Sequence, residues 1–219
     1  MNKSIIFDLD GTLIDSKDQI ARNLNFTRIE FGYSPVSNNL IYENIGLPPE
    51  VFLRDLALSE SRKQEMIYKF RLNMIMDKEK IVIYPFVAEL LKLLKENKYL
   101  LAIATTKPTS LANSVIENSE LKGFFEHIQG TDNFLPKPDP AVVLKCLAKL
   151  KTRSSVMVGD RTEDMEAAIA ANILAVGVAQ GYHSKELLIK FGATVVVRDI
   201  EELYYMFSKS DYFDKFLLK

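Results

Sequence analysis

Short apolar runs alternate with amphipathic segments along most of this chain. Five runs have the length and composition of buried strands, and they span residues 5–7, 100–104, 156–158, 173–178 and 194–197. Between them, apolar residues recur at helical spacing in three segments, which contain Val87, Leu90, Leu91 and Leu94; Ala141, Leu144, Leu147 and Leu150; and Met165, Ala168 and Ile169. Alternating strands and helices predict an α/β fold, doubly wound, with a mainly parallel sheet and helices on both faces. In such a fold the functional site lies at the carboxyl ends of the strands.

One region interrupts this alternation. Residues 16–83 have no convincing strand pattern, but they contain amphipathic stretches, which include Ile20, Leu24, Thr27 and Ile29, and Met66, Ile67, Phe70 and Met74. We therefore predict an inserted helical domain at 16–83, and an α/β core formed by residues 1–15 and 84–219, to which the chain returns near Pro85. The apolar stretch 211–219 is expected to pack as a terminal helix.

Composition narrows the class of protein. The chain has 219 residues, enough for one α/β domain with a smaller insertion. Its 28 Lys and Arg balance 29 Asp and Glu, so it has no global field for a polyanion, and nucleic acid is not an expected partner. The single cysteine, Cys146, cannot form an internal disulfide and is expected to be a small core side chain.

Apolar stretches also bear on location. No stretch approaches the roughly 18 apolar residues that would span a bilayer, and the first apolar run is too short for the core of a signal peptide. We therefore expect a cytoplasmic protein with no membrane partner, and a monomer or weak homodimer fits its near-neutral surface.

Two acidic pairs follow predicted strands. Asp8 and Asp10 are two residues apart, so in a regular strand they would point to the same face. Asp160 and Asp164 follow the run 156–158, and both can face the strand ends if Asp164 lies in the first turn of the next helix. When carboxylates lie this close together, ionisation of both is unfavourable unless a cation is bound between them. Mg²⁺ is the expected cofactor, because it prefers oxygen ligands and bridges carboxylates to phosphate.

A hydroxyl and an ammonium complete the set. Thr105 follows the run 100–104, and Lys137 lies between two prolines that stiffen its loop. Taken singly, each of these features has a plain structural explanation, such as an acidic turn, a helix N-terminal acid or a solvated lysine. Their joint occurrence is the informative observation.

Together these residues resemble the haloacid dehalogenase superfamily. The four elements are Asp8-x-Asp10-Gly11-Thr12, Thr105 after its strand, Lys137 with its prolines, and Gly159-Asp160-x-x-x-Asp164, and they occur in the order and spacing of that superfamily. The resemblance covers nearly the whole chain and is nearest to the phosphoglycolate-phosphatase-like branch. It implies a Rossmann-like core with a helical cap, and hydrolysis of a small phosphorylated metabolite.

The resemblance also implies a role for each residue. Asp8 would be the nucleophile that forms an aspartyl-phosphate, and Asp10 would protonate the leaving alcohol and then activate water. Thr105 and Lys137 would bind and neutralise the transferring phosphoryl group. Mg²⁺ would be held by Asp8, the Asp10 backbone carbonyl and Asp160.

Two further residues would support this site. Asp164 would order a ligand water or Lys137, and Thr12 would form a hydrogen bond within the nucleophile loop. The division of roles between Asp160 and Asp164 stays open at this point.

Specificity residues are expected in the cap and beside Thr105. The glycine and proline of 44–48 suggest a loop directed at the substrate, so Gly46 is a candidate contact, with Arg54 nearby as another. Thr106 is a third candidate. It stands where relatives near phosphoglycolate phosphatase often have asparagine, which leaves the exact substrate open.

Particular residues of the sequence distinguish the alternative functions. Asp10 argues against dehalogenase chemistry, which lacks a second aspartate, and against phosphonatases, which resemble one another in having alanine there. A sugar phosphomutase of the β-phosphoglucomutase type shares every core residue, although its fourth motif usually has glutamate before aspartate rather than Gly159. A non-enzymatic binding module should have lost at least one of these residues, and none is lost.

Overall fold

A parallel sheet lies at the centre of the molecule, in a computed structural model that describes residues 3–47, 49–77, 81–152 and 154–209. In chain order, the elements of this part of the chain are β1 (Lys3–Phe7), β2 (Ile14–Asp15), α1 (Lys17–Glu30), α2 (Asn38–Asn44), a 3-10 helix (Pro49–Leu53), α3 (Glu60–Met76), β3 (Val82–Ile83), α4 (Val87–Glu96), β4 (Leu100–Ala104), α5 (Thr109–Glu117), β5 (His127–Gln129), α6 (Ala141–Leu150), β6 (Ser154–Gly159), α7 (Thr162–Ala170), β7 (Leu174–Val178), α8 (Lys185–Lys190), β8 (Val195–Val197) and α9 (Ile200–Ser208). The predicted terminal helix at 211–219 lies outside the described residues.

The six-stranded sheet has the order β5-β4-β1-β6-β7-β8, and its neighbouring strands are parallel. From the central strand β1 the chain winds outward through β4 and β5, and then outward on the other side through β6, β7 and β8. The order reverses beside β1, and ligands bind at such a switch point, outside the carboxyl ends of the strands. The predicted doubly wound α/β fold is confirmed.

Alternating side chains of the strands face two separate apolar layers. Ile5 and Phe7 of β1 belong to the layer that includes α4, α5 and α9, whereas Ile6 belongs to the layer that includes α6, α7 and α8. Both faces of the sheet are therefore covered by helices, and this explains why the strand sequences are continuously apolar. Cys146 is buried in the second layer, as predicted.

Some sequence predictions need correction. The strand β5 was not expected, because its three residues, His127–Gln129, include two polar ones. In α6 the buried face comprises Val142, Val143, Cys146 and Leu150, whereas Leu144 is exposed. Ile169 in α7 and Ile29 in α1 are also exposed. In each case the helix is present but its buried face is rotated from the face that the spacing suggested.

The helices α1, α2 and α3 with the 3-10 helix form a segment inserted after β1, which we call the helical segment. Its apolar residues pack on one another and on Leu111 of α5. An antiparallel two-stranded ribbon, β2 with β3, joins its two ends to the rest of the chain. The strand β3, Val82–Ile83, lies in the region for which no strand was predicted. Across the described residues, no helix combines the length and apolar character needed to cross a membrane.

Candidate active site

The Asp8 carboxylate lies just beyond the carboxyl end of the central strand. The Asp8 backbone N–H donates to the carbonyl of Val158 at 2.8 Å, so strand pairing continues up to the site. The residue is 5% exposed, and Lys137 Nζ donates to its Oδ1 at 2.7 Å. Among the described residues, none donates a hydrogen bond to Asp8 Oδ2. One oxygen is thus held in place while the other remains available for chemistry.

Lys137 uses its ammonium group to join three parts of the site. Besides Asp8, it donates to the backbone carbonyl of Ala104 at 3.0 Å and to Asp164 Oδ1 at 2.5 Å. These three acceptors use all three ammonium donors. Burial acts to lower the pKa of Lys137, but the carboxylates of Asp164 and Asp8 outweigh it and the pKa is raised. The ammonium is therefore charged at the pH of the cell.

Three buried carboxylates form a cluster, and two of them pair with this lysine. Oxygens of Asp8, Asp160 and Asp164 lie within 4.8 Å of one another. Burial raises the pKa of Asp8 to about 7, although the Lys137 ammonium opposes the shift. Burial, reinforced by Asp164 and Asp8, also raises the pKa of Asp160. Fully ionised, three carboxylates and one ammonium leave an excess of two negative charges, so the donor set fits a hard divalent cation such as Mg²⁺.

Asp10 is held by two side chains. Ser16 Oγ donates to Asp10 Oδ1 at 2.5 Å, and Lys107 Nζ lies 3.0 Å from Asp10 Oδ2. The chain turns at residues 11–13, just after Asp10, and Gly11 has a φ of +86°, which only glycine adopts at low cost. A Cβ on Gly11 would also lie 2.4 Å from Asp160 Oδ2. This turn therefore brings the loop after β1 directly against the acidic cluster.

Thr12 forms a hydrogen bond across the site and not within its own loop, which corrects the prediction for its partner. Its Oγ1 donates to Asp160 Oδ1 at 2.7 Å, and both residues are completely buried. The backbone N–H of Tyr182 donates to the other oxygen, Oδ2, at 2.9 Å. Asp160 is therefore fixed from both sides in one orientation.

Thr105 comes directly after β4, which pairs with β1, so it lies at the same edge of the sheet as Asp8. Its backbone N–H donates to the backbone carbonyl of Gln129 at 3.0 Å, and its Oγ1 accepts a hydrogen bond from the backbone N–H of Lys107 at 3.2 Å. Within the described chain, no acceptor receives the Thr105 hydroxyl proton. A hydroxyl both donates and accepts, so this proton is available to an oxygen of a bound group.

Asp164 has a structural contact as well as its ion pair with Lys137. It lies in the first turn of α7, where Oδ2 accepts the backbone N–H of Arg161 at 3.0 Å. The Arg161 guanidinium in turn donates to the backbone carbonyl of Ile45 in the helical segment, and its Nε lies 3.2 Å from Glu163. The loop of the acidic cluster is thereby connected to the loop that contains Gly46.

A cleft of about 660 Å³, measured out to its open mouth, lies between these residues and the helical segment. Asp8, Asp10 and Thr105 line one part of it. The apolar wall includes Ile20, Ile45, Phe52, Phe70, Met74 and Leu111. A largely apolar wall with a few polar groups at one end is typical of a small-molecule site.

The three candidate specificity residues have different positions. Gly46 and Thr106 line the cleft. Arg54 is exposed and is not among the residues that line it. Arg54 follows Leu53, which is buried at the end of the 3-10 helix, so the Arg54 side chain points away from the interior.

Three residues of the site were not singled out from the sequence. They are Ser16 and Lys107, which contact Asp10, and Arg71, which lines the cleft from α3. Lys107 follows Thr105 by two residues, and this proximity was a usable signal. Ser16 and Arg71 have no local signal, because only the packing of the helical segment brings them to the site.

The fold and this arrangement of carboxylates, lysine and threonine define a hydrolase. Residues 5–178 match the family described as haloacid dehalogenase-like hydrolase, and the chain belongs to this family. It is 32% identical over 218 residues to a phosphoglycolate phosphatase of Chromobacterium violaceum, with 92% of this chain and 95% of that protein covered. The predicted phosphatase of this superfamily is thereby confirmed.

Solved structures agree with the sequence relatives. A predicted phosphatase from Clostridium acetobutylicum is 27% identical with a TM-score of 0.81, over 95% of this chain and 98% of that one. A candidate beta-phosphoglucomutase from Bacteroides vulgatus has a TM-score of 0.76 over 94% of this chain and 88% of that one. The latter is only 19% identical, so it shows a shared fold and nothing about activity.

Proposed function

We propose that this enzyme hydrolyses a small phosphate monoester in a Mg²⁺-dependent reaction, through an aspartyl-phosphate formed on Asp8. The observation that carries the proposal is the state of the Asp8 carboxylate. It is buried at the strand ends, it lines the cleft, and Lys137 holds one of its oxygens at 2.7 Å. Such a group is positioned for covalent attack, and the charged lysine beside it neutralises an incoming phosphoryl group.

The reaction has two half-reactions. In the first, an Asp8 oxygen attacks phosphorus, the bond from phosphorus to the alcohol oxygen breaks, and Asp10 gives that oxygen a proton. In the second, Asp10 takes a proton from water, the water oxygen attacks phosphorus, and the bond to Asp8 breaks. Ser16 and Lys107 keep the Asp10 carboxylate in place, and the Thr105 hydroxyl donates to a phosphoryl oxygen.

Asp8, the backbone carbonyl of Asp10 and Asp160 are the groups that we propose to hold Mg²⁺. When bound, Mg²⁺ would supply positive charge that offsets the carboxylates and would polarise the phosphoryl group. Asp164 then has the role of orienting Lys137. Its Oδ1 accepts a hydrogen bond from Lys137 Nζ at 2.5 Å, and its other oxygen caps the first turn of α7. Thr12 orients Asp160 from behind.

Residues 16–83 act in this proposal as a cap on a core formed by residues 1–15 and 84–219. The support is the ribbon of β2 and β3, which forms a narrow connection, and the cleft that the helical segment completes. A cap that closes would exclude water and contribute specificity residues. Phosphoglycolate-like acids are the first substrates to test, because relatives have the name phosphoglycolate phosphatase. A cytoplasmic location remains a prediction.

The test is phosphate release from a panel of phosphate esters. The panel contains 2-phosphoglycolate, several sugar phosphates and nucleoside monophosphates, each assayed with Mg²⁺ and with EDTA. Asp8→Asn is the matched inactive control, and acid-quenched wild-type enzyme should gain the mass of one phosphoryl group, which the variant should not gain.

Magnesium-dependent release that is lost in Asp8→Asn supports the proposal. Release at the wild-type rate by Asp8→Asn would contradict the covalent mechanism. No release, together with isomerisation of a sugar phosphate, would identify a phosphomutase of the β-phosphoglucomutase type. No reaction with any compound would favour a binding role.

A further inference from the structure

The helix α3 contributes one cation to the cleft. Arg71 lies between Phe70 and Met74, which also line the cleft, so this face of the helix borders the space that contains Asp8. Arg71 Nε is buried without a hydrogen-bond partner. Across the described residues, no hydrogen bond or ion pair joins the Arg71 guanidinium to another side chain.

This state is unusual for a buried donor. Native structures pair nearly all buried polar groups, and an unpaired one needs an explanation, such as a ligand that supplies the acceptor. Lys107, the other cation of the cleft, differs in this respect. Its Nζ lies 3.0 Å from Asp10 Oδ2, so its charge is already balanced by the protein.

The chemistry of arginine indicates what the missing acceptor would be. A guanidinium is planar, permanently charged, and matched in geometry to the two oxygens of a carboxylate or a phosphate. Its neighbours Phe70, Met74 and Ile20 are apolar, and such surroundings strengthen the attraction between opposite charges. An anionic group that enters the cleft beside α3 would therefore be held firmly.

We propose that Arg71 recognises a second anionic group of the substrate. The substrate class is then a small phosphate monoester whose far end has a carboxylate or a second phosphate. This inference takes one element from the proposed function, which is the placement of the reacting phosphoryl group at Asp8. It identifies a specificity residue in α3 in place of Arg54, which is exposed and does not line the cleft.

The kinetic test uses three esters of similar size. They are 2-phosphoglycolate with a carboxylate, ethylene glycol bisphosphate with a second phosphate, and ethyl phosphate with neither. Wild type, Arg71→Gln and Arg71→Lys are compared by kcat/KM in Mg²⁺. Arg62→Gln is the matched control, because Arg62 is on the same helix, is 45% exposed and pairs with Glu65 outside the cleft.

Wild type should prefer at least one doubly anionic ester over ethyl phosphate. In Arg71→Gln that preference ratio should fall by about 10- to 100-fold, mainly through KM, as expected for a lost charge-assisted hydrogen bond. Arg71→Lys should retain part of the ratio, and Arg62→Gln should retain all of it. Whichever of the two doubly anionic esters loses more in Arg71→Gln identifies the group as a carboxylate or a phosphate.

A binding measurement separates this inference from the proposed function. Calorimetric Kd values for the same esters are determined in the Asp8→Asn protein, with and without Arg71→Gln. If wild type releases no phosphate but doubly anionic esters bind through Arg71, the proposed function fails and the inference stands. An unchanged ratio and an unchanged Kd in Arg71→Gln overturn the inference. An equal loss for all three esters also overturns it, because a merely structural role would produce that result.

Discussion

Replacing Asp8 by asparagine should abolish turnover and yet stabilise the metal-free protein at neutral and alkaline pH. Burial raises the pKa of the Asp8 carboxyl from 3.8 to about 7, with Lys137 opposing the shift. A carboxyl whose pKa is raised on folding is more easily accommodated when protonated. The native state of the wild-type protein therefore loses stability as the pH rises from about 4 to about 7, and the loss stays constant above pH 7.

The size of the effect follows from the same values. Each tenfold change in proton affinity corresponds to about 1.4 kcal/mol, so the ionised Asp8 costs the native state on the order of 4 kcal/mol at pH 8. Asparagine has nearly the same shape and no charge, and it keeps an oxygen for Lys137. We expect a gain of roughly 1–4 kcal/mol. For a chain of this size, 1 kcal/mol corresponds to about 2–4 °C in Tm.

Thermal unfolding in EDTA measures this gain. The Tm of Asp8→Asn should exceed that of wild type most at pH 8, and the difference should shrink as the pH falls to 5. Mg²⁺ should raise the Tm of wild type more than that of the variant. Glu96→Gln, at an exposed position, is the control for removing a carboxylate and should show little change. A lower Tm for Asp8→Asn at pH 8 in EDTA would refute the reasoning, because the ion pair with Lys137 would then outweigh the burial of charge.

Three other substitutions test separate contacts. Asp10→Asn should lower kcat by about 10²- to 10⁴-fold while substrate Kd, measured by calorimetry, changes little; weak binding with a normal rate per bound complex would contradict an acid-base role. Thr12→Val removes the hydrogen bond to Asp160 and should raise the Mg²⁺ concentration for half-maximal activity by about 10- to 100-fold, whereas Thr12→Ser should not. Gly46→Ala should lower stability by about 1–3 kcal/mol in denaturant titrations, because φ is +91° and the added Cβ would lie 2.5 Å from Arg161 Cδ; unchanged stability would mean that the loop shifts without strain.

The core of the candidate site could be located from sequence because its residues follow strands. Asp8, Thr105 and Asp160 come directly after β1, β4 and β6, and these three strands are neighbours in the sheet. Parallel neighbours end at the same edge, so a local pattern was enough to bring the residues together. The roles assigned to them remain proposals.

Features that depend on packing between distant segments could not be predicted. The contact of Ser16 with Asp10 and the position of Arg71 depend on how the helical segment packs beside the loop after β1. The edge strand β5 pairs with β4 alone, so it needs no apolar run on both faces. The buried face of α6 was misread because apolar residues lie on more than one side of that helix.

The excess negative charge of the acidic cluster implies an order of events. Asp8 and Asp164 share the ammonium of Lys137 and Asp160 lies beside them, so the ionised cluster repels a phosphate dianion unless a cation offsets its charge. With the proposed Mg²⁺ as that cation, productive complexes should form in the sequence metal first, ester second, and phosphate should depart before the metal. Initial-rate patterns at varied metal and substrate would show this as compulsory-order kinetics, with excess substrate inhibiting by sequestering free Mg²⁺ in solution.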